Sequence, residues 1–131
     1  MEKQIVDVPQ IYPKRGAYNN AVKTRGGWTV YCSGVVGAHP DGSVPGDFAA
    51  QADLAFRNLA EVLREAGGSL SDIVKITIYV GEDFPGIAAD LSRIRARYFV
   101  ADHPASMVLR VAGFAGHEYL IQIDAVAVLS D

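Results

Sequence analysis

Residues 47–80 read DFAAQADLAFRNLAEVLREAGGSLSDIVKITIYV, and this stretch decides how the chain folds. Its first part repeats apolar residues at helical spacings, with Asp47 as a typical N-cap and Gly67 and Gly68 as a helix stop. The repeating positions are Phe48, Ala52, Ala55, Leu59, Val62 and Ala66, widened by Phe56 and Leu63. Its last part, Ile73–Val80, alternates with the period of two of a strand. A long amphipathic helix leading into a strand predicts a helix-on-sheet domain.

The remaining strands are predicted from β-branched and aromatic runs bounded by glycines. One strand is expected at 28–33, followed by a loop of turn formers at 39–46. Two last strands, 106–112 and 119–129, are expected to form a hairpin through the glycine-bearing segment 113–116.

A second helix is predicted to begin at Asp83 and Pro85, since both residue types favour a first turn. Its apolar positions are Ile87, Leu91, Ile94 and Tyr98. Three arginines, Arg93, Arg95 and Arg97, are interpreted as a solvated or interface face with nearby acids.

Two helices can cover only one face of a sheet of about five or six strands. The other face would carry Thr77 and Tyr79 with residues of the last two strands. This surface is too apolar to be left exposed to water. We therefore expect a homo-oligomer that buries it, with ligand clefts where subunits meet.

Composition excludes several functional classes. The chain of 131 residues is 50% hydrophobic and fits a single domain, 1–131. Its 12 basic and 15 acidic residues give a charge of -3, the wrong sign for nucleic acid. A lone cysteine, Cys32, favours a reducing, cytoplasmic setting, and no apolar run approaches the roughly 20 residues of a membrane span. His39, His103 and His117 are scattered, so neither a metal nor a cofactor is predicted.

Short motifs follow one another along nearly the whole chain in a definite order. They are Gly16-Ala17-Tyr18, Ser33-Gly34, Gly42-Ser43-Val44-Pro45, Gln51 and Asn58, Asp72-Ile73-Val74-Lys75, Tyr98-Phe99, Pro104-Ala105, and Ile121 to Ala127. Together they resemble the Rid family, the YjgF-type proteins. The resemblance implies an α+β fold similar to trimeric chorismate mutase, with two helices on one face of a mixed sheet. It also implies a homotrimer with intersubunit clefts, and hydrolysis of reactive enamines and imines of amino acids.

The resemblance also implies a changed site. In deaminating members an arginine after Pro-Ala holds the substrate carboxylate, and a glutamate of the last strand lies near the attacking water. Here these positions are Ser106 and Gln122, and a nearby family cysteine is Val108. Serine cannot bind a carboxylate bidentately, and glutamine orients water without taking its proton. The usual 2-imino acid has therefore lost its main anchor.

Two residues are expected to be catalytic, Gln122 and Asp124, and six are expected to bind substrate. The six are Tyr18, Ser33, Gly34, Ser106, Val108 and Arg110. Tyr18 matches the cleft tyrosine of the family or is a packing tyrosine. Arg110 shares a strand face with Ser106, about 13 Å away, and either lines the cleft or forms a salt bridge. Asp124 either replaces the missing base or pairs across the trimer interface.

Two functions stay open. The first is hydrolysis of an enamine or imine other than the usual small 2-imino acid, with water attacking the C=N carbon and no cofactor. The alternative is a non-catalytic trimer that binds a small metabolite or a partner protein, which the combination of Ser106, Val108 and Gln122 favours. Isomerisation of a dicarboxylate, as in chorismate mutase, would need a cationic clamp that the sequence does not supply.

Overall fold

A computed structural model describes residues 1–14, 16–82 and 84–130, and it has two helices packed on a mixed sheet. The strands are β1 (Glu2–Val6), β2 (Ala21–Arg25), β3 (Trp28–Tyr31), β4 (Val35–Val36), β5 (Ile73–Val80), β6 (Ala105–Arg110) and β7 (Ile121–Leu129). The helices are α1 (Phe48–Glu65) and α2 (Phe84–Tyr98), and a short 3₁₀ turn spans Leu70–Asp72. The predicted α+β fold class is confirmed.

Helix α1 begins and ends as predicted. The side chain of Asp47 accepts a hydrogen bond from the backbone N–H of Ala50 at 2.8 Å, which satisfies one free donor of the first turn. Gly67 takes a φ of 96°, and the N–H of Gly68 donates to the carbonyl of Leu63 at 2.8 Å. Two positions of the predicted stripe differ, because Val62 and Ala66 are exposed and Ala66 follows the last helical residue, Glu65.

The five-stranded sheet has the order β3-β7-β5-β6, and β4 also pairs with β7. Strand β5 is antiparallel to β7 and parallel to β6. The predicted hairpin of the last two strands is therefore wrong, because β5 lies between them. Its apolar residues, such as Ile76 and Ile78, are fully buried by neighbours on both sides. Helix α2 provides the crossover that parallel pairing of β5 with β6 requires.

Other element bounds differ in detail from the predictions. The strand expected at 28–33 ends at Tyr31, and the chain pairs with β7 again at Val35–Val36. Strands β1 and β2 form a separate antiparallel pair that their mixed sequences, EKQIV and AVKTR, did not indicate. Helix α2 begins at Phe84, beside the predicted start, whereas Asp83 lies outside the described residues.

One buried amide ties α1 to the segment that leads into β7. Gln51 is 1% exposed, and its Nε2 donates to the carbonyls of Pro45 at 2.8 Å and Glu118 at 2.9 Å. Its Oε1 accepts from the N–H of Leu120 at 2.9 Å. The side chain thereby gives hydrogen-bond partners to three backbone groups of two separate segments.

We expect Gln51→Leu to lower the free energy of unfolding by roughly 2–4 kcal/mol, because it leaves these backbone groups without partners. Chemical denaturation measures the change. A control, Glu61→Leu on the exposed side of α1, should stay within about 0.5 kcal/mol of the native protein. Equal stability of the Gln51 variant and the native protein would contradict a structural role for the amide.

Candidate functional site

The register of β5 and β7 places the two predicted catalytic residues on the sheet surface that the helices leave uncovered. Gln122 and Asp124 lie opposite Tyr79 and Thr77 of β5. The alternating residue Ile123 is fully buried in the core. We call the surface that carries Tyr79, Gln122 and Asp124 the open face.

The register of β5 and β6 places three predicted substrate-binding residues, Ser106, Val108 and Arg110, on the opposite, helix-covered face. Their partners across the parallel ladder are the fully buried core residues Ile76, Ile78 and Val80. Paired residues of neighbouring strands share a face. Ser106 and Gln122 of one chain therefore do not share a cleft, and a site that contains both requires a second copy.

A cavity of about 520 Å³ opens on the open face. Strand residues and the loop after β6 line it: Cys32, Gly34, Tyr79, Gln122, Asp124, Val111, Gly113, Phe114 and Ala115. It brings together three predicted site residues, Gly34, Gln122 and Asp124. Ser33 is exposed beside Gly34 but does not line this cavity.

The absence of a side chain at Gly34 leaves space for the side chain of Gln122. The chain leaves β3 at Tyr31 and resumes pairing with β7 at Val35–Val36, so Gly34 lies where the strand is interrupted. A Cβ at Gly34 would collide with the Nε2 of Gln122. The absent side chain lets the amide lie against the backbone at the wall of the cavity.

The cavity is lined by the thiol of Cys32 and the carboxylate of Asp124. Cys32 is buried, and burial is the main cause that raises the pKa of its thiol. The negative charge of Asp124 raises this pKa further. The thiol therefore stays protonated at neutral pH, and a protonated thiol is a poor nucleophile. Of the groups in this cavity, the Asp124 carboxylate is the one suited to accept a proton from water.

A second, smaller cavity of about 240 Å³ lies between β6 and α2, and we call it the α2 cavity. Its walls are Gly16, Ala17, Ala88, Leu91, Ser92, Arg95 and Val108. Arg95 reaches across it, and its Nη2 donates to the Oγ of Ser106 at 3.0 Å and to the carbonyl of Ala17 at 3.3 Å. Burial lowers the pKa of the Arg95 guanidinium. The α2 cavity thus combines an apolar wall with one cation.

The expectation that the three helix arginines form one solvated or interface face is wrong for Arg95, which contacts Ser106 of the same chain. Arg93 pairs with Asp90 at 3.2 Å and Arg97 pairs with Asp53 at 3.4 Å, both on the surface. Arg95 instead points inward, toward Ser106. The signal was present in the sequence, because Arg95 lies four residues after Leu91 and three before Tyr98, on the stripe that faces the core.

Two other predicted residues lie apart from the cavities. Tyr18 is half-buried beside the start of β6, where its neighbour Asn19 pairs with Ala105 and donates to the carbonyl of His103 at 2.6 Å. Arg110 is exposed at the end of β6 and lines neither cavity.

Among residues 1–14, 16–82 and 84–130, no three His, Cys, Asp or Glu side chains are close enough together to bind a metal ion. Within the same described ranges, no helix has the length and apolar character needed to cross a bilayer.

Comparison with known proteins identifies relatives along most of the chain. The family model described as Endoribonuclease L-PSP matches residues 10–129. The 2-iminobutanoate/2-iminopropanoate deaminase of Rattus norvegicus is 34% identical over 117 residues, covering 86% of this chain and 80% of the deaminase. A RutC family protein of Pyrococcus abyssi is 28% identical over 131 residues, covering 97% of this chain and 98% of that protein.

Solved structures agree with the fold. A Rid family protein of unknown function from Yersinia pestis has a TM-score of 0.89 and 32% identity, covering 98% of this chain and all of that one, 100%. RidA from an Antarctic Psychrobacter has a TM-score of 0.73 and 26% identity, covering 96% of this chain and 99% of that one.

We expect Asp124→Asn to lower the pKa of Cys32, because the substitution removes a negative charge that disfavours the thiolate. Cys32 of the Asp124→Asn protein should then react faster with a disulfide reagent at pH 8 than Cys32 of the native protein does. The pH dependence of the reaction rate measures the shift. Glu61→Gln, a charge-matched change on α1, should leave the profile unchanged, and an unchanged profile in Asp124→Asn would contradict the coupling.

Proposed function

This chain belongs to the Endoribonuclease L-PSP family, which includes the Rid proteins, and we propose that it is a hydrolase of a reactive imine or enamine. The observation that carries the proposal is the open-face cavity, where the amide of Gln122 and the carboxylate of Asp124 lie on one strand face. Deaminases of this family at about 30% identity support the same class of reaction.

The proposed reaction is addition of water to a C=N bond. The Gln122 amide orients a water molecule by hydrogen bonding, and the Asp124 carboxylate accepts one of its protons as the oxygen attacks the imine carbon. The Asp124 carboxyl then gives that proton to the imine nitrogen, which forms a carbinolamine. The hydroxyl proton of the carbinolamine passes to the nitrogen as the C–N bond breaks, so ammonia leaves and a carbonyl product remains. The residues are two positions apart on one strand, about 7 Å, which leaves room for a water between them.

The proposed assembly is a homotrimer in which neighbouring copies pack on the open face. Large apolar side chains are exposed there: Tyr31 at 80%, Met107 at 44% and Leu109 at 38%. Such a patch is unfavourable in water and favourable in an interface. Strand β6 lies at the edge of the sheet, so a second copy that packs there brings its own β6, with Ser106, toward Gln122 and joins the two groups of predicted residues in an intersubunit cleft.

The second candidate is a non-catalytic trimer that binds a small metabolite or a partner protein in these clefts. The observation that favours it is that three cleft positions carry neither charge nor a reactive group, namely Ser106, Val108 and Gln122. Cleavage of RNA, which the family description mentions, is not favoured by a net charge of -3.

The native protein should shorten the lifetime of 2-iminobutanoate or a neutral imine generated in situ, measured by competition with a trapping amine. Asp124→Asn should lower kcat/KM by roughly a hundredfold to ten-thousandfold, since proton acceptance is lost. The control Asp90→Asn, an exposed carboxylate of α2, should match the native rate. An Asp124→Asn variant as active as the native protein would contradict the role of Asp124 as the base. If the native protein hydrolyses none of the imines tested, the result would favour the non-catalytic binding trimer.

Light scattering after size exclusion should give three times the mass of one chain. Leu109→Asp should dissociate this trimer, because a charge would be buried in the interface. Val62→Asp, which places the same charge at an apolar residue of α1 that is 42% exposed, should leave the trimer intact. A concentration-independent monomer for the native protein would overturn the intersubunit cleft.

A further inference from the structure

The open-face cavity has one negative charge in its walls and no positive one. Among residues 1–14, 16–82 and 84–130, its lining includes the carboxylate of Asp124 and no lysine, arginine or histidine. No ion pair found in the same ranges includes Asp124. The carboxylate therefore borders a space for a ligand without a counter-charge from its own chain.

The basic residues of the surrounding elements do not line this cavity. Lys75 of β5 is exposed and lies on the open face two residues beyond the partner of Asp124. Arg110 at the end of β6 belongs to the helix-covered face, and His117 is exposed in the segment before β7. Exposed charges act weakly at a distance because salt and water screen them. The charge that a ligand in the cavity meets is therefore that of the carboxylate.

Two aromatic side chains complete the walls of the cavity. Tyr79 lies diagonal to Asp124 on the open face, and Phe114 belongs to the loop after β6. Diagonal neighbours of an antiparallel strand pair are within reach of an aromatic side chain. The face of such a ring is partly negative and attracts a cation that lies within about 6 Å. A carboxylate with two aromatic rings is a combination that recognises a planar cation.

We propose that the open-face cavity selects the protonated, cationic form of an imine that carries no carboxylate. Asp124 pairs with the iminium group, and the rings of Tyr79 and Phe114 contact its planar substituents. A carboxylate on the substrate would instead be repelled by Asp124. The volume of about 520 Å³ lies within the roughly 300–1,000 Å³ of small-molecule sites, so a ring-sized substituent fits. The substrate class is the imine of a simple amine rather than that of an amino acid.

Binding of the cation also favours the reaction, and in this respect the proposal rests on the proposed function. A carboxylate beside the imine nitrogen stabilises its protonated form, and the positive charge makes the imine carbon a better electrophile for water. The iminium ion and water give the carbonyl compound and an ammonium ion. Both hydrogens of the water finish on nitrogen, the single positive charge passes from substrate to product, and no oxidant is needed.

Three planar ligands of similar shape test the proposal on the full-length protein: benzamidine, a cation at neutral pH, neutral benzamide and anionic benzoate. Calorimetric titration should give the tightest binding for benzamidine and the weakest for benzoate. Asp124→Asn should weaken benzamidine binding by roughly fivefold to twentyfold, between an exposed ion pair and a buried charged hydrogen bond, and should leave benzamide unchanged. Tyr79→Leu should weaken benzamidine binding by roughly twofold to fivefold, the effect of one cation–π contact.

A charge-matched control separates Asp124 from the overall charge of the protein. Glu118→Gln, which removes an exposed carboxylate from the segment before β7, should bind benzamidine like the native protein. Equal affinity of the native protein for benzamidine and benzamide, or unchanged benzamidine affinity in Asp124→Asn, would overturn the cation site. Tightest binding of benzoate would overturn it as well, because a cation from another copy would then complete the cavity.

The same ligands distinguish failure of this proposal from failure of the proposed function. Benzamidine binding that depends on Asp124, without hydrolysis of any imine, would overturn the proposed function and leave the cation site standing. Hydrolysis of 2-iminobutanoate by a protein that prefers benzoate would overturn the cation site and leave the proposed function standing.

Discussion

The pairing of β5 with two strands of opposite direction is the constraint on which the rest of the structure depends. Its antiparallel neighbour β7 turns Gln122 and Asp124 away from the helices, and its parallel neighbour β6 turns Ser106 and Val108 toward them. A strand alternates its side chains with a period of two, so neither set can change face without moving its whole strand by one residue. The sheet therefore separates Gln122 and Asp124 from the second group of predicted site residues.

The position of helix α2 follows from that same arrangement. As the crossover between β5 and β6, it must pack against the helix-covered face, where its apolar residues Leu91 and Ile94 are buried. Arg95 lies on the edge of this buried stripe, and its long side chain follows the apolar surface to the hydroxyl of Ser106. The cation of the α2 cavity therefore comes from a helix rather than from a strand. The loss of a strand arginine at position 106 thus does not leave this part of the molecule without positive charge.

The open face combines polar chemistry with apolar surface. Tyr31, Met107 and Leu109 are exposed on it, while Cys32 and Asp124 line its cavity. Burial of these apolar side chains by another copy would also exclude bulk water from the cavity. The lower dielectric constant strengthens the electrostatic interactions within the cavity. In such an assembly the interface that stabilises the fold and the environment that supports chemistry are the same surface.

The sequence alone determined the features that depend on neighbours close along the chain. Helix α1, its Asp47 cap and its glycine stop follow from spacings of three and four, and the shared face of Gln122 and Asp124 follows from strand alternation. Only the tertiary structure decided which strands are adjacent, because pairing joins residues far apart in sequence; the expected hairpin of the last two strands was wrong for this reason. The inward direction of Arg95 likewise depends on where α2 packs against β6. Helical spacing indicates the stripe on which Arg95 lies, but the hydroxyl it contacts is supplied by another element.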